Sequence, residues 1–70
     1  MQIIHFDLRG EHIALCDLLK LTGVANSGGQ GKAMVADGLV LVDNKFESRK
    51  TAKIRKKQIV TCLDAKIIID

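Results

Sequence analysis

Ser27-Gly28-Gly29-Gln30-Gly31-Lys32-Ala33 is the stretch on which the fold of this chain turns. Ser27 followed three residues later by Gln30 fits a capping box, in which hydroxyl and amide each satisfy a backbone N–H at a helix start. Ala33, Met34 and Ala36 continue that helix, and Gly38 stops it. Gly28, Gly29 and Gly31 run against it, each by up to about 1 kcal/mol relative to Ala. A helix so rich in glycine at its start needs a reason. Glycines there remove side chains that would hold another backbone away, and the bared N–H groups with the helix dipole attract an anion. Lys32, about one turn in, adds a full positive charge. The plainer alternative is a capped helix packed tightly on its neighbour, with Lys32 simply solvated. Taken alone, the stretch leaves both open.

Nucleotide-binding motifs do not fit it. A P-loop needs a glycine five positions before its Gly-Lys pair and Ser or Thr after it, and Asn26 and Ala33 stand there. A dinucleotide fingerprint needs G-x-G-x-x-G after a strand, within a βαβ unit that this short chain builds poorly.

Upstream, residues 2–8 alternate loosely and read as a strand. Arg9-Gly10 supplies a turn, and Glu11-His12-Ile13 reads as a short returning strand. From Leu15 the period changes: Leu15, Leu18, Leu19 and Thr22 share one helical face, opposite Asp17 and Lys20. Gly23 suits the left-handed position that ends a helix. Downstream, Leu39-Val40-Leu41-Val42 is a strand and Asp43-Asn44 a turn pair that tolerates positive φ. Residues 46–48 run back. Lys53-Ile54-Arg55, residues 59–63 and residues 66–69 read as further strands. The expected fold class is α+β: a small single domain over residues 1–70, with two packed helices against a small, mostly antiparallel sheet.

Composition agrees with one domain and one core. The chain has 70 residues, 47% of them hydrophobic, no proline, and Phe6 and Phe46 as its only aromatics. No apolar run approaches a membrane span. Cys16 and Cys62 form no secreted-type disulfide framework, no signal peptide is evident, and a reducing cytoplasm is the expected location. Each cysteine reads as a small buried apolar side chain, and neither has a partner at metal-ligand spacing. His5 and His12 read as structural or solvent-facing. No carboxylate pair and no hydroxyl nucleophile has a recognisable base, so neither an enzyme, a cofactor nor a small-molecule substrate is expected.

Charge is distributed unevenly. The formal net charge is +3, yet residues 45–57 hold Lys45, Arg49, Lys50, Lys53, Arg55, Lys56 and Lys57 against Glu47 alone. Ordinary surfaces mix signs, and a field this concentrated selects a polyanion. In an extended strand Lys53, Arg55 and Lys57 would line one side, with Ile54 facing the core.

From Ile13 to Val60 the order of features resembles the αL RNA-binding motif, the S-four-type domain, and more closely its stand-alone YbcJ-like bacterial members. The matching residues are Leu15-Cys16-Asp17-Leu18-Leu19-Lys20, Gly23, and Ser27-Gly28-Gly29-Gln30-Gly31-Lys32-Ala33. They continue through Asp37-Gly38-Leu39-Val40-Leu41-Val42-Asp43, Glu47-Ser48-Arg49-Lys50 and Lys53-Ile54-Arg55. The resemblance implies a core motif over residues 13–60, with two helices in an L shape against a small sheet. It implies structured RNA, often ribosomal, lying on Ser27, Gly28, Gly29 and Lys32 of the second helix and on Arg49, Lys50, Lys53 and Arg55 beyond it. Three departures stand out. Gly31 replaces a common Ala and should loosen the helix, Asn44 replaces a usual Gly, and Lys57 stands near another usual turn glycine.

The expected function is therefore binding to structured RNA through its phosphate backbone, with few aromatics available for stacking single-stranded bases. The alternative is a protein-interaction adaptor that docks a basic face on an acidic partner. A sulfur-carrier role is set aside, because such carriers end in Gly-Gly and this chain ends Ile67-Ile68-Ile69-Asp70.

Overall fold

A computed structural model describes residues 2–70. Two helices form where the periodicity places them: α1 over Leu15–Leu21 and α2 over Gly28–Ala36. Each ends by passing into a glycine with positive φ, Gly23 at 81° and Gly38 at 74°. After α2 the Gly38 N–H donates to the Val35 carbonyl and the Leu39 N–H to the Met34 carbonyl, which is the Schellman pattern that satisfies the last carbonyls of a helix.

Seven strands follow the chain order β1 Gln2–Phe6, β2 Ile13–Ala14, β3 Val40–Val42, β4 Lys45–Phe46, β5 Lys53–Ile54, β6 Ile59–Cys62 and β7 Ala65–Ile69. Five of them form a sheet in the order β1-β7-β6-β3-β4, and β2 pairs separately with β5. All pairs are antiparallel except β1 with β7, where Gln2 lies opposite Ala65 and Phe6 opposite Ile69. The Asp43-Asn44 pair joins β3 to β4 with both residues at positive φ, 51° and 68°. That is the geometry a two-residue hairpin loop demands.

Residues 11–13 depart from expectation. No strand returns along β1. Ile13 and Ala14 instead pair with Ile54 and Lys53, and β1 takes its partner from the far end of the chain. Local alternation cannot distinguish these outcomes, because a strand's partner is chosen by where the core lies.

One face of the sheet carries Val40, Val60, Cys62, Ile67 and Ile69, all buried, against Leu15, Leu18, Leu19 and Val35 of the helices. Fully burying an aliphatic side chain of this size contributes about 1.5–3 kcal/mol relative to exposure. The opposite face carries the register row Phe46, Leu41, Thr61, Lys66 and Ile3. Phe46, 73% exposed, therefore points away from the helices.

Gly31 does the reverse of loosening. It is buried, and a Cβ built on it would stand 2.9 Å from the Cys16 carbonyl oxygen. Only a residue without a side chain lets α2 lie so close to the backbone of α1. The Gly31→Ala variant should lose about 1–2 kcal/mol after its gain in helix propensity, lowering Tm by about 4–8 °C per kcal/mol. Gly29→Ala meets only the Ser27 hydroxyl, at 3.8 Å, and should instead hold or raise Tm. Thermal unfolding followed by circular dichroism checks the opposite signs.

Candidate nucleic-acid interface

The start of α1 has no side-chain cap, because Ala14 occupies the N-cap position. Its first amides find carbonyls elsewhere. The Leu15 N–H donates to Ala52 at 2.9 Å and the Cys16 N–H to Lys50 at 3.0 Å. Orphan helix amides must be satisfied, so the helix start fastens the basic loop. The β2–β5 pair extends this by setting Lys53 opposite Ala14. Since Gly31 packs on the Cys16 carbonyl and the Lys50 carbonyl accepts the Cys16 N–H, α2 and the basic loop both abut the backbone of Cys16.

On α2 the three glycines divide into two kinds. Gly31 serves packing. A Cβ on Gly28 would meet nothing within 4 Å, and the neighbours of Gly29 are almost as distant. The Ser27 hydroxyl accepts the Gln30 N–H at 3.1 Å, and the Ser27 carbonyl accepts the Gly31 N–H at 3.0 Å. Among the described residues no acceptor meets the Gly28 or Gly29 N–H, and the first turn holds no acid. The capping box is half as expected: the Gln30 side chain accepts the N–H of Asn26 rather than of Ser27, its length carrying it one residue further. Lys32 lies four residues from Gly28, on the same side of the helix, and is exposed.

The basic segment is less regular than an extended strand. β5 ends at Ile54, which is buried, between exposed Lys53 and Arg55. Beyond it the chain turns, with the Gln58 N–H donating to the Arg55 carbonyl at 3.3 Å and Lys57 at φ 73°. Lys53, Arg55 and Lys57 therefore do not line one strand face. A turn that asks for positive φ at its third residue cuts the alternation short. Lys57 adopts the left-handed geometry usually given to glycine, and its N–H donates to the Ile69 carbonyl at 2.8 Å.

Two polar side chains brace this segment. Gln58 accepts the Arg55 N–H at 2.7 Å and donates to Asp43 at 3.0 Å, while Asp43 also accepts the Ile59 N–H at 3.0 Å. The Gln58 amide, then the Ile59 N–H, hold the Asp43 carboxyl below its ordinary pKa. Glu47 accepts the Arg49 N–H at 3.0 Å and meets its guanidinium at 3.4 and 3.5 Å. The Arg49 N–H is the main cause of a lowered Glu47 pKa, against the opposing effect of burial. Between Arg49 and Lys53 lies an open hollow of about 380 Å³, lined also by Thr51 and Ala52.

Of the expected site residues, Gly28, Gly29 and Lys32, with the cap Ser27, share α2 with Gly31, which packs on Cys16, while the Lys50 carbonyl accepts the Cys16 N–H and Lys53 pairs with Ala14. Arg49 shares the hollow with Lys53. Arg55 stands apart, across the turn braced on the β3–β4 hairpin. Among the described residues Arg49 is the one of these cations with a carboxylate within 4 Å. Sequence reasoning missed Thr51, and it counted Glu47 only as a charge. The signal available was its position two residues before Arg49, close enough to fold back on it.

A family model described as the S4 domain matches residues 6–70. The chain is 50% identical over 50 residues to a putative RNA-binding protein, YbcJ, of Escherichia coli K12, covering 71% of each. A YbcJ protein of Shigella flexneri, described as uncharacterized, matches to the same extent. The solution structure of E. coli YbcJ, described as revealing an αL motif involved in RNA binding, superposes with a TM-score of 0.70 at 38% identity. That match covers 97% of this chain and 90% of the other. The YbcJ resemblance and the two-helix α+β architecture expected from sequence are both borne out.

The turns allow two tests. Lys57→Gly should stabilise the fold by about 0.5–1 kcal/mol, the relief of left-handed backbone strain less the added freedom of the unfolded chain; chemical denaturation measures it. Asp43, whose pKa is lowered on folding, contributes stability that is present above its unfolded pKa and lost as pH falls through the folded value. Tm should fall as pH drops below about 5 and on through the ordinary carboxyl value of 3.8, and Asp43→Asn should lower Tm at neutral pH while flattening that dependence.

Proposed function

Because this chain belongs to the S4 domain family, we propose that it binds structured RNA, ribosomal RNA being the foremost candidate, and acts in the cytoplasm by binding alone. The observation that carries this is the attachment of two cationic elements to the backbone at the start of α1. The open amides of Gly28 and Gly29 with Lys32 flank it on α2, and Lys50 and Lys53 hang from it on the loop and β5. A helix start offers an anion partial positive charge and N–H donors, and lysines supply full charges that a phosphate backbone can neutralise. The name of the E. coli relative and the description of its solution structure, both citing RNA binding, support the same assignment.

Shape, more than base identity, is the proposed readout. Phe6 is half-buried against the core, and Phe46 faces away from the helices, so neither offers a stacking platform on the cationic side. Phosphates spaced along a folded RNA would meet Ser27, Gly28, Gly29 and Lys32 at one end and Arg49, Lys50, Lys53 and Arg55 at the other.

Filter binding or fluorescence anisotropy with ribosomal RNA fragments tests the proposal. Affinity should fall linearly in log–log form with salt, with a slope near −0.9 per phosphate contact on B-form DNA and less on single strands. Changing Arg49, Lys50, Lys53 and Arg55 together to Glu should abolish binding while leaving the melting transition cooperative. Retained affinity in that variant would sink the surface. A partner that stays bound after nuclease treatment would favour the adaptor alternative instead.

A further inference from the structure

The contact between Glu47 and Arg49 lies within the proposed interface, where an acid opposes the attraction of phosphate. It is the single acid among residues 45–57, and it does more than lower the charge. Its carboxylate accepts the Arg49 N–H at 3.0 Å and approaches Nε and Nη2 of the same residue at 3.4 and 3.5 Å. The Glu47 side chain is 19% exposed and that of Arg49 78%. A half-buried carboxylate therefore holds one edge of an exposed guanidinium.

That arrangement suits one task better than another. A guanidinium grips phosphate in bidentate fashion through its N–H edge, and here part of the edge is occupied. What remains open is the flat face, on which an unpaired base can stack. A planar cation fixed in orientation substitutes for the aromatic platform this side of the protein lacks. Beside it is the hollow of about 380 Å³ between Arg49 and Lys53, with Thr51 and Ala52 in its lining. Small-ligand sites have volumes of roughly 300–1,000 Å³, so the space is at the scale of a single nucleotide. Contact with backbone alone needs no such recess.

We propose that the hollow receives one unpaired nucleotide of the bound RNA, its base stacked on the Arg49 guanidinium and its phosphate directed to Lys53, with Glu47 as the positioning residue that sets the Arg49 plane. This rests on the RNA-binding assignment and deepens it, since the RNA must then present an extruded base and not a plain duplex.

The test uses three RNA hairpins with one stem sequence: fully paired, carrying a single-nucleotide bulge, and carrying the same bulge with an abasic sugar. The intact protein should bind the bulged hairpin at least about fivefold more tightly than the abasic one, the lower end of what stacking one base contributes. Arg49→Lys keeps the charge and loses the plane, so it should bring the ratio of bulged to abasic binding to about one. Glu47→Gln should reduce the ratio yet hold or raise affinity for the paired stem, a split that mere unfolding would not give. Equal binding of the bulged and abasic hairpins by the intact protein would overturn this proposal and leave the RNA-binding assignment standing. Failure to bind any of the three would overturn both.

Discussion

The backbone of Cys16 is the point on which the rest of the molecule depends. Its N–H is held by the Lys50 carbonyl, and its own carbonyl meets Gly31 with no room for a side chain between. Two constraints of different kind meet there. One is the need of the first helix for partners for its leading amides; the other is close packing between helices. Neither involves a charged side chain, yet together they decide where the charges go. Lysines on a flexible loop would repel one another and spread. Here the loop backbone is fastened by hydrogen bonds, so the cations on it are carried by a fixed frame.

A frame of this kind makes a cationic surface cheap to maintain. The lysine side chains remain exposed and solvated, so none suffers the desolvation that burying a charge would impose. Repulsion among them is moderated by water and salt. The ordering cost is borne by the backbone, which is needed for the core in any case. Asp43 and Gln58 extend the same economy to the far turn by bonding main-chain amides and leaving Arg55, Lys56 and Lys57 exposed.

What could be read from sequence was what is settled locally. The Ser27 cap, the glycine stops at 23 and 38 and the Asp43-Asn44 turn each follow from a few neighbouring residues, and each stands where expected. Of the eight residues expected to contact RNA, seven are exposed and Gly28 is half-buried. The partner of β1, the separate β2–β5 pair and the role of Gly31 were not legible. Each depends on segments 15 or more residues apart, and a local pattern carries no information on distance. Lys57 lay between the two cases. Its departure from glycine was visible, but only its N–H bond to the Ile69 carbonyl and the Gln58 N–H bond to the Arg55 carbonyl that closes the turn show why the strain is tolerated.

The sheet order gives the last strand along the chain a central place. Ala65–Ile69 lies between β1 and β6, zipped in parallel to residues more than sixty positions earlier, and the Asp70 N–H closes on Phe6. The helix pair and the β3–β4 hairpin are assembled from near neighbours and are available early. The sheet beneath them has a gap at its middle until its final element arrives. On a ribosome, β1 must wait unpaired with Ile4 bare until residues 65–69, which pair with it, have been made. Long-range pairing of this type slows folding and leaves strand edges open to chance partners. β1 is made before the other strands of its sheet, yet it can pair only once β7 is made.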